Sequence, residues 1–224
     1  MNLNMFEQFA NPEILFIPTT PLSLLLPLLF ISHKPKLLSN RMLTATNLFI
    51  KTASSNMLSQ LPPAGQKWSR PLIALLTLIL VSNLLGLLPY TFTTTSQLSI
   101  NMAMAIPLWM ATIITGLSLK PTTALAHMLP EGSPTPLIPF MILIESVSLL
   151  MRPVALGVRL TANITAGHLL MTMISSATLS LLHTPLCLFT TTLLTLLSLL
   201  EVAVACIQAY VFVLLVTLYL QENT

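Results

Sequence analysis

The 224-residue chain has little charge to hold in water: 7% of its residues are charged, 54% are hydrophobic, and mean hydropathy is +0.87. That balance excludes an ordinary soluble domain with one buried core and makes lipid the solvent for most of the chain. No GxxxxGK[ST] loop and no sizeable polar stretch occur, which argues against direct nucleotide chemistry. The two cysteines, Cys187 and Cys206, sit in apolar sequence without CxxC or Cys/His spacing, so they read as packing residues rather than a disulfide or zinc site. With six glycines and no clear internal repeat, a transporter built from paired broken helices is disfavoured. Met1 to Pro12 hold no Lys or Arg, so neither a secretory n-region nor an Arg-rich transit peptide is expected.

What the chain does have is long apolar runs. Backbone polar groups in lipid must be satisfied within their own segment, and these runs far exceed the roughly 10-residue alternating strands of an outer-membrane barrel. The expected fold is therefore an all-α integral membrane protein, a single membrane domain over 1–224. Many of the 17 prolines fall between runs, and internal ones predict kinks.

The first run, 14–31, reads as a transmembrane helix ending at Ser32-His33-Lys34-Pro35-Lys36. Over 37–60 the pattern becomes amphipathic: Leu38, Met42, Ala45, Phe49, Ala53 and Met57 share one helical face, while Asn40, Arg41, Thr44, Asn47, Lys51 and Ser55 share another. Such a helix would lie in the membrane interface. After Pro62-Pro63, residues 71–119 predict a transmembrane hairpin that returns at Lys120-Pro121. These crossings put Lys34, Lys36, Arg41, Lys51, Lys67, Arg70 and Lys120 on one side, the cytoplasmic or matrix side by the positive-inside rule, and start Met1 on the other.

The last part, 137–220, holds two runs, 137–182 and 185–220. As continuous helices they would be roughly 69 and 54 Å long, against a hydrocarbon layer of roughly 30 Å. Each must tilt strongly, break, or cross more than once.

Ionisable residues inside these runs are costly and mark a pathway or an internal pair. Glu145, Arg152 and Arg159 are spaced i, i+7, i+14, with Asn163 a further four residues on, so the four project near one face. His168, nine residues past Arg159, points to roughly the opposite side and is not expected to share a pocket with Glu145. Glu201 and Gln208 form a second polar stripe in the last run, able to face the first across a hairpin. Titratable groups with polar companions are what a proton relay needs. The blander alternative is a set of structural ion pairs, which Arg152, beside Met151 and Pro153, fits best.

The stretch Ala155-Leu156-Gly157-Val158-Arg159-Leu160-Thr161-Ala162-Asn163-Ile164 resembles the signature of the F-type ATP synthase subunit a family. The likeness runs from the Pro-rich first span through Asn83-Leu84-Leu85-Gly86-Leu87-Leu88-Pro89-Tyr90 to the two long runs, and it looks like the form encoded in animal mitochondria. The resemblance implies a multi-pass protein of the mitochondrial inner membrane, whose two long tilted helices lie against a c-subunit ring with mid-membrane carboxylates. It implies further partners in the peripheral stalk, the other membrane subunits and lipid, with no cofactor or metal, no nucleic acid, no direct nucleotide binding and no catalysis by this chain. Two offset proton half-channels would be separated by Arg159. His168, Glu201, Asn163 and Gln208 would belong to the inlet side, and Glu145 to the matrix outlet. An arginine suits a separator because its guanidinium stays protonated and cannot pass the proton on. Bacterial relatives tend to carry an acid and a histidine at the places of His168 and Glu201, an exchange that keeps a titratable pair.

Two other classes compete. A subunit of a proton-pumping redox complex would favour buried lysines, whereas every Lys here falls in an expected loop or interfacial segment. A self-contained channel or transporter would show repeats.

Overall fold

The computed structural model describes residues 9–10, 13–14, 17–31, 41–58, 65–88, 91–119, 121–122 and 137–223. The basic residues Lys34, Lys36 and Lys120, and the loop prolines Pro62 and Pro63, lie outside them.

A two-residue antiparallel pair follows residues 9–10, β1 (Glu13–Ile14) against β2 (Ile17–Pro18), with Glu13 opposite Pro18 and Ile14 opposite Ile17. Helix α1 (Thr19–Ile31) therefore begins five residues after the start of the expected crossing at Ile14, because extended pairing holds the backbone that a helix would need. Its 13 described residues are about 20 Å long. Helix α2 (Arg41–Leu58) occupies the amphipathic segment, and it exposes apolar as well as polar residues, Leu48 by 67% and Phe49 by 44%.

A 3₁₀ turn (Gly65–Trp68) leads into α3 (Ser69–Gly86). A second 3₁₀ turn (Thr94–Ser96) precedes α4 (Leu98–Leu119), which contains Pro107. The two long runs are α5 (Ile138–Ser180) and α6 (Cys187–Asn223). Each is one unbroken helix, about 64 and 56 Å long, so among the options of breaking, tilting or recrossing, a break is eliminated. Pro139 falls in the first turn of α5, where its missing N–H would have had no intrahelical partner. Pro153, deep in the helix, is buried.

Four helical segments are long and apolar enough to cross a membrane: Gly65–Gly86, Leu98–Leu119, Ile138–Ser180 and Cys187–Glu222. The chain is an all-α, multi-pass membrane protein. Its many hydroxyls are accommodated without water: Ser146, Thr172, Ser176, Thr192 and Thr195 each donate to a carbonyl three residues earlier on the same helix. In lipid, where no other acceptor is at hand, that local bond satisfies the group.

The chain divides into two compact units. The first comprises Met1–Ser32, Leu76–Ile100 and Arg159–Val211, with Leu76, Ile79, Leu160 and Ala209 fully buried. Within it α1 packs against the Thr94–Ser96 turn. The second comprises His33–Leu75, Asn101–Val158 and Phe212–Thr224, with Leu72, Ala105, Val213 and Leu220 fully buried. There α4 and α5 approach so closely that a Cβ at Gly157 would lie 2.6 Å from Met102 Sδ.

Candidate functional site

The site in the first unit starts from a close approach of α5 and α6. Gly167 carries no side chain, and a Cβ built there would stand 2.9 Å from Glu201 Oε1. The absence of that atom lets the Glu201 carboxylate lie against α5, next to His168. His168 Nε2 and Glu201 Oε1 are 3.8 Å apart, with side chains 21% and 12% exposed. That is within ion-pair range but beyond a direct hydrogen bond of about 2.7–3.2 Å. A small side-chain movement or one bridging water would join them.

Both residues line a cavity that also receives Asn163 from α5, Asn83 from α3, and Thr93 and Thr95 from the turn before α4. The turn reaches the site because Gly86 has no side chain either: a Cβ there would meet Thr93 Cγ2 at 2.9 Å. Thr93 Oγ1 donates to Ser96 Oγ (3.0 Å), which donates back to the Thr93 carbonyl (2.7 Å), locking the turn. Asn83 Nδ2 donates to the Ala205 carbonyl at 3.3 Å, tying α3 to α6 one turn beyond Glu201. Asn83 Oδ1 and Glu201 Oε1 are buried acceptors with no hydrogen bond among the described residues. Phe9 covers the imidazole edge-on, its ring centroid 6.5 Å from that of His168.

Chemically this is a pair of titratable groups at a largely apolar cavity into which a few polar side chains converge. The imidazole can take a proton on one nitrogen and release it from the other, and the carboxylate can accept it.

The remaining expected site residues lie elsewhere. Arg159 is exposed on α5, one turn before Asn163, and no ion pair or hydrogen bond engages its guanidinium among the described residues. Its neighbour Leu160 is buried at 1% exposure, so the arginine points away from the core of its unit. Gln208 is half-buried on α6 but does not line the cavity. Seven residues bring a side chain back to nearly the same azimuth yet carry it about 10 Å along the axis, past the end of the pocket. Glu145 belongs to the second unit, where its Oε1 is 4.0 Å from Arg152 Nη2.

Asn83, Thr93, Thr95 and Gly167 were given no role by sequence reasoning. The available signal was weak: a Thr/Ser cluster between two apolar runs reads as a loop, and a glycine in a helix reads as packing.

The family model described as "ATP synthase A chain" matches residues 14–221, which include all six expected site residues. The chain belongs to this family. Its relatives named "ATP synthase F(0) complex subunit a" include those of Lycodon semicarinatus at 70% identity, Struthio camelus at 57% and Pan troglodytes at 51%. Each comparison covers 100% of both chains. Family membership over the full length means that both units, and not the signature around Arg159 alone, are shared with these ATP synthase subunits.

Proposed function

We propose that this chain is the proton-conducting stator subunit of an F-type ATP synthase of the mitochondrial inner membrane. Two offset half-channels meet a rotating ring of c subunits, and Arg159 separates them. Protons enter past His168 and Glu201, with Asn163, Asn83 and Gln208 as polar companions, and reach the carboxylate of a ring subunit. After rotation they leave on the matrix side past Glu145. Phosphoryl chemistry belongs to partner subunits, and this chain is not catalytic.

The observation that carries the reading is the contrast on one helix. His168 lies 3.8 Å from Glu201 at a cavity that both residues line, whereas Arg159 is exposed and unpaired among the described residues. A lone guanidinium on an apolar helix is expensive in lipid and calls for a partner of opposite charge. A passing ring carboxylate supplies that charge, and the cation favours its ionised form, driving proton release toward the outlet. Each proton crossing 100 mV releases about 2.3 kcal/mol, so several must pass for one ATP.

The test is Arg159→Ala in membranes where assembly with the ring has been verified. Coupled ATP synthesis is expected to be lost. A normal synthesis rate in the assembled variant overturns the separator role.

A further inference from the structure

Arg152 has no part in the proposed path, yet among the described residues both Arg–carboxylate pairs are made by it. Its Nη1 donates to Glu222 Oε2, its Nη2 lies 4.0 Å from Glu145 Oε1, and its Cζ stands 5.1 Å over the centroid of the Tyr219 ring. All four residues belong to the second unit. Tyr219 and Glu222 are three residues apart and share one face of the last turns of α6. Glu145 lies two turns before Arg152 on α5. The planar fork of a guanidinium can hold two carboxylates while stacking on a ring, which an ammonium cannot. The Glu145 side chain is 38% exposed and its carboxylate would otherwise be free to sample several rotamers.

We infer that Arg152 is a positioning residue for Glu145: it tethers that carboxylate to the end of α6, through Glu222 and Tyr219, so that Glu145 presents one orientation to the outlet path. The inference rests on Glu145 serving the outlet. It differs from a plain structural brace because the effect of Arg152 on proton flux passes through Glu145.

The experiment measures proton flux under an imposed gradient in vesicles carrying the whole assembled synthase. It uses Arg152→Gln, Glu222→Gln and Glu145→Gln singly, and each of the first two combined with Glu145→Gln. Arg152→Gln is expected to slow flux about two- to fivefold, the range of a partly exposed charge pair, with a smaller loss for Glu222→Gln. In the Glu145→Gln background neither change is expected to slow flux further. Equal fold losses with and without Glu145, or normal flux in Arg152→Gln, overturn the inference and leave Arg152 a brace. If Arg152→Gln does not assemble, Glu222→Gln at the exposed chain end decides by the same comparison. Normal flux in Glu145→Gln alone overturns the outlet role of Glu145, and this inference with it, whereas slowed flux there with additive Arg152 losses overturns the inference only.

Discussion

At Gly167 a missing side chain leaves room for the Glu201 carboxylate against α5. A methyl group there would press on Glu201 Oε1 at 2.9 Å and Cδ at 3.3 Å. Because the obstacle is the far end of a flexible side chain, Gly167→Ala should displace the carboxylate from His168 with little net change in stability, an overpacking cost of about 1 kcal/mol being offset by a similar gain in helix propensity. Proton flux is expected to fall, and the fold loss should be smaller when Glu201→Asp has already withdrawn the carboxylate. Equal losses in the two backgrounds would show that the glycine serves helix packing alone. Asn83→Leu keeps the branching and heavy-atom count of the side chain but removes the bond to the Ala205 carbonyl and one polar group from the lining of the cavity. With one hydrogen bond lost, about 1 kcal/mol of stability should go. Flux should drop while assembly survives, and an assembled Asn83→Leu variant conducting normally would remove Asn83 from the path.

Among the elements, α5 is held differently along its length. Its first part, in the second unit, meets α4 at Gly157, where a Cβ would come within 2.6 Å of Met102 Sδ and 3.5 Å of the Met102 backbone nitrogen. A large side chain has no room there. Gly157→Leu should destabilise the unit by about 1–3 kcal/mol, seen as a lower thermal midpoint of the purified protein in detergent, with partial recovery in combination with Met102→Ala. An unchanged midpoint would mean that the two helices can separate freely. By contrast, Ser176 and Thr195 donate only to Met173 and Thr192 of their own helices and are exposed. Replacing either by Ala is expected to change stability by no more than about 0.5 kcal/mol, leaving the midpoint nearly where it was.

For the whole molecule, the two unbroken long helices constrain topology. If α3 and α4 form a hairpin and α5 and α6 each cross once, the turn around His183 faces the side opposite Lys67. In a variant lacking Cys187 and Cys206, a cysteine at position 183 should react with an impermeant thiol reagent from that opposite side, and one at 67 from the basic side. Labelling of both from one side would require α5 to recross the membrane or not to span it.

Much of this was legible beforehand, for a local reason. In lipid each apolar segment must satisfy its own backbone, so composition and run length determined an all-helical membrane chain. The 3.6-residue period puts His168 and Arg159 on roughly opposite sides of one helix, and in the structure the arginine is exposed and the histidine half-buried. The start of α1 at Thr19 is not visible in hydropathy, because the extended pairing of Glu13–Ile14 with Ile17–Pro18 competes with helix and leaves no mark there. Only tertiary structure decided which polar groups meet. His168 and Glu201 lie on different helices, and their 3.8 Å separation depends on a register set where Gly167 lets the Glu201 carboxylate approach. Asn83 and Thr93 join them, Gln208 falls beyond the pocket, and Glu145 lies 4.0 Å from Arg152. Helical periodicity sets the azimuth of a side chain on its own axis. The height at which two axes pass each other is set by packing between residues distant in sequence.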